Sequence, residues 1–228
     1  MAELLAHTIR AGLHQAANPA DAPAMVAYMK GVQPFLGVKT PARREIVRAA
    51  LKGYPDRTER FAAAAELWQG EYREERYMAL DILAKSRLTV ADLPVLEGML
   101  PACNWWDLLD TLMGLIGRVL TLHPELRREK VRLWRQSDHL WTRRAAILAQ
   151  LHAKSQTDTA LLSETIAALK HEKEFFIQKA IGWALREYAK TDADWVRQSV
   201  NELGLSGLAR REALKHVGED FERRRGRL

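Results

Sequence analysis

The feature that most limits what this chain can fold into is a dense succession of helix starts and stops, with nothing between them that reads as a strand. Thr40 followed by Pro41 sets a capping residue beside a first-turn proline, a combination that opens helices. His123-Pro124, Ser137-Asp138, Thr157-Asp158 and Thr191-Asp192 repeat the theme, offering side-chain acceptors to the free amides of a first turn. Breaks fall at Asn18-Pro19, at residues 53–55, at Pro101 and at residues 204–207, where glycine and proline interrupt regular structure. The segments between these signals number roughly twelve or thirteen, of ~10–18 residues each. No alternating apolar–polar run, βαβ rhythm, glycine-rich phosphate loop or interior linker interrupts them. The expected fold is therefore all-α, one domain over residues 1–228, built as a right-handed α-solenoid of stacked antiparallel helix pairs. Pairs of ~35–40 residues fit a HEAT or armadillo array better than a four-helix bundle, and such an array would carry a concave basic groove suited to a rod-like partner.

Charge supports a polyanionic partner through its distribution. The net charge is +6, a modest excess that means little if spread evenly. Residues 127–154 hold eight Lys/Arg against Glu129 and Asp138, so this segment alone carries the whole excess. A solvated helical face explains such a run as readily as nucleic acid does, and other features must decide between them. No run approaches the ~20 apolar residues of a membrane span. The amphipathic start, MAELLAHTIRAGLHQ, lacks a signal-peptide layout, and a single cysteine, Cys103, permits no internal disulfide. A cytoplasmic protein is expected.

Three helices carry a second, unexplained face. In NWWDLLD (104–110) and the residues after it, Trp105, Leu109, Leu112, Ile116 and Val119 form a complete core stripe, following the helical period. Asn104 can cap this helix, and Asp107 in its first turn meets the positive end of the helix dipole. Trp106 lies about 100° round from that stripe, with Asp110 one turn further along its own side. Gly114 and Gly117 continue that side without bulk. Packing of Trp106 on a neighbouring helix remains open on spacing alone. In a second helix, expected over 138–154, Arg144 replaces one apolar position of the row Leu140, Arg144, Ile147, Leu151, either snorkelling or, on a concave face, clamping a phosphate. In the third, residues 173–190, Ile177, Ala180, Ile181, Ala184 and Tyr188 make a core side. Lys179, Trp183, Arg186 and Lys190 make another, alternating cations with an indole as expected where a sugar–phosphate backbone is gripped.

Common catalytic signatures are missing. The seven histidines show no HExxH, Cys103 has no CxxC partner, and no GxSxG occurs, so neither metal nor cofactor is expected. NWWDLLD, WTRRAAILAQL (141–151) and KEFFIQKAIGWALREYAK (173–190), with MVAYMK (25–30) and PFLGVKTPARR (34–44) upstream, resemble the corresponding segments of the AlkD-like DNA alkylation repair glycosylases. They stand in family order over nearly the whole chain, from about residue 20 to Lys215. The resemblance implies a HEAT-like enzyme that excises N3- and N7-alkylated purines from duplex DNA. Matched position by position, it implies catalytic roles for Trp106, Trp183 and Asp110, a DNA contact at Arg144, and a lesion-proximal tyrosine at Tyr28. It also implies catalysis from the sugar–phosphate side without base flipping. Lys179, Arg186, Lys190 and Arg143 join the expected DNA-binding set. A self-contained groove needs no partner subunit, so a monomer is expected. The basic tail at 222–228 receives no site role. A non-catalytic DNA-binding solenoid and a protein-interaction scaffold are the rival readings.

Overall fold

In the computed structural model, which describes residues 2–217, thirteen α-helices and four short 3-10 turns are found among the described residues, with no strand. The chain divides into two compact units, one ending at Thr89 and the other beginning at Val90. The tail at 222–228 lies outside the described residues. No helix among the described residues is long and apolar enough to cross a membrane.

The first unit holds α1 (Ala2–Gln15), α2 (Ala22–Tyr28), α3 (Thr40–Ala50), α4 (Arg57–Trp68) and α5 (Arg73–Ala84). Leu5, Ile9 and Leu13 recur at helical spacing along α1 and are fully buried, where α1 meets α3, α4 and α5. Burying one such side chain is worth about 1.5–3 kcal/mol. The loop before α3 is fixed by a buried charge. The Glu74 carboxylate on α5 accepts the amides of Leu36 (3.1 Å), Gly37 (2.9 Å) and Val38 (3.0 Å). Gly37 sits at φ +84°, and a Cβ there would meet the Asn18 carbonyl oxygen at 2.1 Å, so the GVKTP stretch admits only glycine at that point. The cap expected at Thr40 falls on Lys39, with Thr40 and Pro41 inside the first turn.

The second unit contains α6 (Leu93–Gly98), α7 (Trp106–Thr121), α8 (Pro124–Trp134), α9 (Leu140–Leu148), α10 (Thr159–Leu169), α11 (Phe175–Tyr188), α12 (Ala193–Glu202) and α13 (Gly207–Ala213). Helices α7, α9, α11 and α13 pack in succession, while α8 lies on α7 and α9, α10 on α9, and α12 on α11 and α13. That order gives this unit two layers. Close approach of α11 to α13 depends on Gly182, where a Cβ would lie 2.3 Å from Glu212 Cβ. Two starts follow the expected capping chemistry: Asp158 accepts the Leu161 amide and Asp192 that of Trp195.

Three details depart from expectation. Helix α7 begins one residue later than the sequence suggests, with Trp105 at the cap in place of Asn104. It is also buried on more than the expected stripe, including Leu108, Met113 and Leu115, because α6, α8 and α9 all pack against it. Helix α9 stops at Leu148, well short of residue 154. The Gln150 side chain accepts the Asp158 amide (2.7 Å) and donates to the Asp158 carbonyl (3.2 Å), tying the following loop back instead of continuing the helix.

Candidate active site

Helix α7 presents Asp110 to α9, and the contact it makes there joins two residues of the predicted site. Arg144 donates from Nε to one Asp110 oxygen at 2.9 Å and from Nη2 to the other at 2.8 Å. Its remaining nitrogen, Nη1, donates to the Phe176 carbonyl on α11 at 2.6 Å. Arg144 is 4% exposed, so its guanidinium is buried with all three nitrogens engaged. One carboxylate is thereby tied to three successive helices of a layer. A two-pronged guanidinium fixes both the position and the plane of a carboxylate. Burial pushes the Asp110 carboxyl above the ordinary aspartate value, while the Arg144 hydrogen bonds and charge oppose that push.

Aromatic rings brace this junction. Trp105 packs against Phe176 (centroids 5.0 Å apart) and Trp141 (5.8 Å), and Trp141 against Phe176 (4.9 Å). Trp105 is half-buried rather than fully interior. Its indole N–H is buried with no hydrogen-bond partner, an arrangement that costs about 1–3 kcal/mol. Trp106 is the first residue of α7, half-buried, one turn ahead of Asp110. Asp107, 7% exposed, stays in the first turn. Trp183 is half-buried on α11, two turns beyond Phe176.

Below Asp110 the chain leaves room. A cavity of about 190 Å³ is lined by Asp110, Gly114, Gly117 and Arg118 of α7, by Leu148 at the end of α9 and by His152 in the turn after it. The bare side of α7 is legible in the two glycines. Arg118 and His152 gave no signal of their own.

The expected DNA-binding cations are held by the protein's own acids. Lys179 (3.0 Å) and Arg186 both pair with Glu212 of α13, and these bonds hold the Glu212 carboxyl below its ordinary value, that from Lys179 foremost. Lys190 pairs with Glu187 at 2.6 Å. Arg143 grips Glu172 and the Ser137 and Asp138 carbonyls. In the basic segment 127–154, Arg128, Lys130, Arg132, Arg135, Arg143 and Arg144 all pair with carboxylates outside it. Its local excess is therefore not a field of unpaired charge. Tyr28 ends α2 in the first unit and is 69% exposed. Among the described residues, no group of three or more His, Cys, Asp or Glu could hold a metal ion.

A family model described as DNA alkylation repair enzyme matches residues 9–217. Among solved structures, the fold is similar to that of a "Predicted DNA alkylation repair enzyme from Enterococcus faecalis". The TM-score is 0.83 and the identity 32%, over 89% of this chain and 97% of that one. A search of curated proteins finds no significant match.

Proposed function

The chain belongs to the DNA alkylation repair enzymes, and from that premise we propose that it is a monofunctional DNA glycosylase acting on cationic N3- or N7-alkylated purines in duplex DNA. The observation that carries this reading is the half-buried Asp110 carboxylate, oriented by a buried arginine at the mouth of a cavity.

Alkylation at N3 or N7 places a positive charge on the purine and makes it a good leaving group. As the bond between C1′ and the purine nitrogen breaks, its electron pair neutralises the base and positive charge moves to the deoxyribose. A fixed carboxylate in a partly desolvated site stabilises that oxocarbenium character far better than one in water. Water then attacks C1′, and Asp110 takes the proton on its way to solvent; free neutral base and an abasic sugar result. The upward push on Asp110 brings it closer to the basicity useful for that transfer. The indole faces of Trp106 and Trp183 would hold the cationic nucleotide by cation–π contact, worth about 0.5–2 kcal/mol each. The reaction proceeds from the backbone side without flipping the base, and no lysine nucleophile is invoked, so no strand cleavage follows.

The test is release of N7-methylguanine from duplex DNA under single-turnover conditions. The wild type frees the base, Asp110→Asn is slowed by orders of magnitude, and Asp107→Asn keeps activity to the extent that it folds. A wild type that frees no base would end the glycosylase reading. The internal pairing of the basic residues favours one rival, a scaffold that does not bind nucleic acid. Such a scaffold would lack the steep salt dependence of a DNA-binding protein.

A further inference from the structure

Arg118 is exposed and, unlike the six paired cations of the basic segment, has among the described residues no hydrogen-bond or ion-pair partner. It stands eight residues beyond Asp110 on α7, about 12 Å along the axis, and both side chains line the same cavity. Between them the helix offers Gly114, where an added Cβ would meet nothing within 4 Å, and Gly117. The facing wall comes from Leu148 and Leu151, which are apolar, and from His152.

We infer that this cavity is the seat of the lesion strand's sugar–phosphate backbone, and that Arg118 is a phosphate-binding residue for a phosphodiester flanking the damaged nucleotide. The inference rests on the glycosylase reading for the placement of the damaged sugar at Asp110, and on the structure for everything beyond it. The charges at the two ends are opposite and match such an occupant. A carboxylate meets the sugar that turns positive, and a guanidinium meets a phosphate that is always negative. Phosphates of one strand advance about 3.4 Å per nucleotide along the duplex axis, and neighbours lie farther apart than this because the backbone winds round that axis. The separation of about 12 Å, shortened by the reach of an arginine, therefore brings a phosphodiester flanking the damaged nucleotide within range. Apolar side chains and bare backbone suit the deoxyribose edges between. A large residue at position 114 would fill this space.

Two variants test it by fluorescence anisotropy on a duplex carrying a tetrahydrofuran abasic analogue, titrated with salt. Arg118→Gln is expected to weaken binding about tenfold and to lower the salt slope by about 0.9, one phosphate contact. The same variant should lose activity mainly through its half-saturating concentration. Gly114→Leu should keep or raise the melting temperature, because leucine favours a helix over glycine and the space is empty, while weakening binding by at least about tenfold. Unchanged affinity and slope in Arg118→Gln would overturn the assignment, as would wild-type binding by folded Gly114→Leu. Base release separates the two readings. A wild type that binds steeply but releases no base, with Arg118→Gln lowering the slope, sinks the glycosylase and leaves the phosphate seat standing. A wild type without salt-dependent duplex binding overturns the seat.

Discussion

Replacing Arg144 by methionine isolates the interaction on which the site's geometry depends. Methionine keeps an unbranched apolar stem in the buried slot and removes the guanidinium. Three hydrogen bonds are lost, two to Asp110 and one to the Phe176 carbonyl. Removing one partner of a buried pair costs about 3–5 kcal/mol, because the other charge is left uncompensated. Asp110 retains some access to water, with 15% of its side chain exposed, so about 3 kcal/mol is the expected loss at neutral pH. The sign with pH follows from the shift. Asp110 is already raised by burial with Arg144 opposing, so the variant raises it further. Its stability deficit is complete while Asp110 is ionised and shrinks as pH falls through the new value. Urea unfolding across acid to neutral pH measures this directly, and the acid limb of base release should move to higher pH. A double-mutant cycle with Asp110→Asn gives the coupling. If the two single losses simply add, or the acid limb stays in place, Arg144 does not control the carboxylate and the reasoning fails.

Glu212→Gln should tighten binding to undamaged duplex and steepen its salt dependence, since Lys179 and Arg186 are released from their shared carboxylate; unchanged binding would remove both from the DNA interface. The Glu212 pairing also stabilises the fold above the ordinary glutamate range and is lost as pH falls through its depressed value, so the same variant should flatten stability on the acid side, read by thermal melts. Glu74→Ala in the first unit strands the amides of residues 36–38 and should cost at least about 3 kcal/mol at roughly 1 kcal/mol per donor, measured by chemical unfolding. Gly182→Ala forces α11 from α13 and should cost about 1–3 kcal/mol or more, with a lowered melting temperature as readout.

Helix existence was legible because capping is local. Asp158 and Asp192 accept their first-turn amides as their positions suggest, and Gly114 and Gly117 announced a side of α7 without bulk. What escaped was every partnership across distance. The period that singled out Arg144 could not reveal that its guanidinium reaches 34 residues back to Asp110. Nor could it show the Phe176 carbonyl closing the third side, since a backbone acceptor has no sequence signature. Charge counting failed for the same reason. The cations of 127–154 are contiguous in sequence, while their acids, at Glu97, Asp158, Glu164 and Glu172, lie on other segments. Helix α9 ends at Leu148, and the Gln150 side chain beyond it holds the Asp158 backbone eight residues on, a tie no helical period reports.

The pairing of Asp110 with Arg144 also divides the labour among the site's arginines. Three of the five N–H groups of Arg144 are held by Asp110 and the Phe176 carbonyl, and the group is buried. A phosphate drawn to the two that remain would have to enter a buried site and would set a second negative charge beside the carboxylate on which the chemistry depends. We therefore propose that Arg144 acts on DNA indirectly, by positioning Asp110, and that phosphate recognition falls to unpaired groups such as Arg118. Salt titration distinguishes the two. Arg144→Met should greatly slow base release while leaving the salt slope of duplex binding as in the wild type. Arg118→Gln should lower the slope and spare most of the rate at saturation. A slope lowered by about one unit in Arg144→Met would place a phosphate on its guanidinium in the complex and overturn the indirect role.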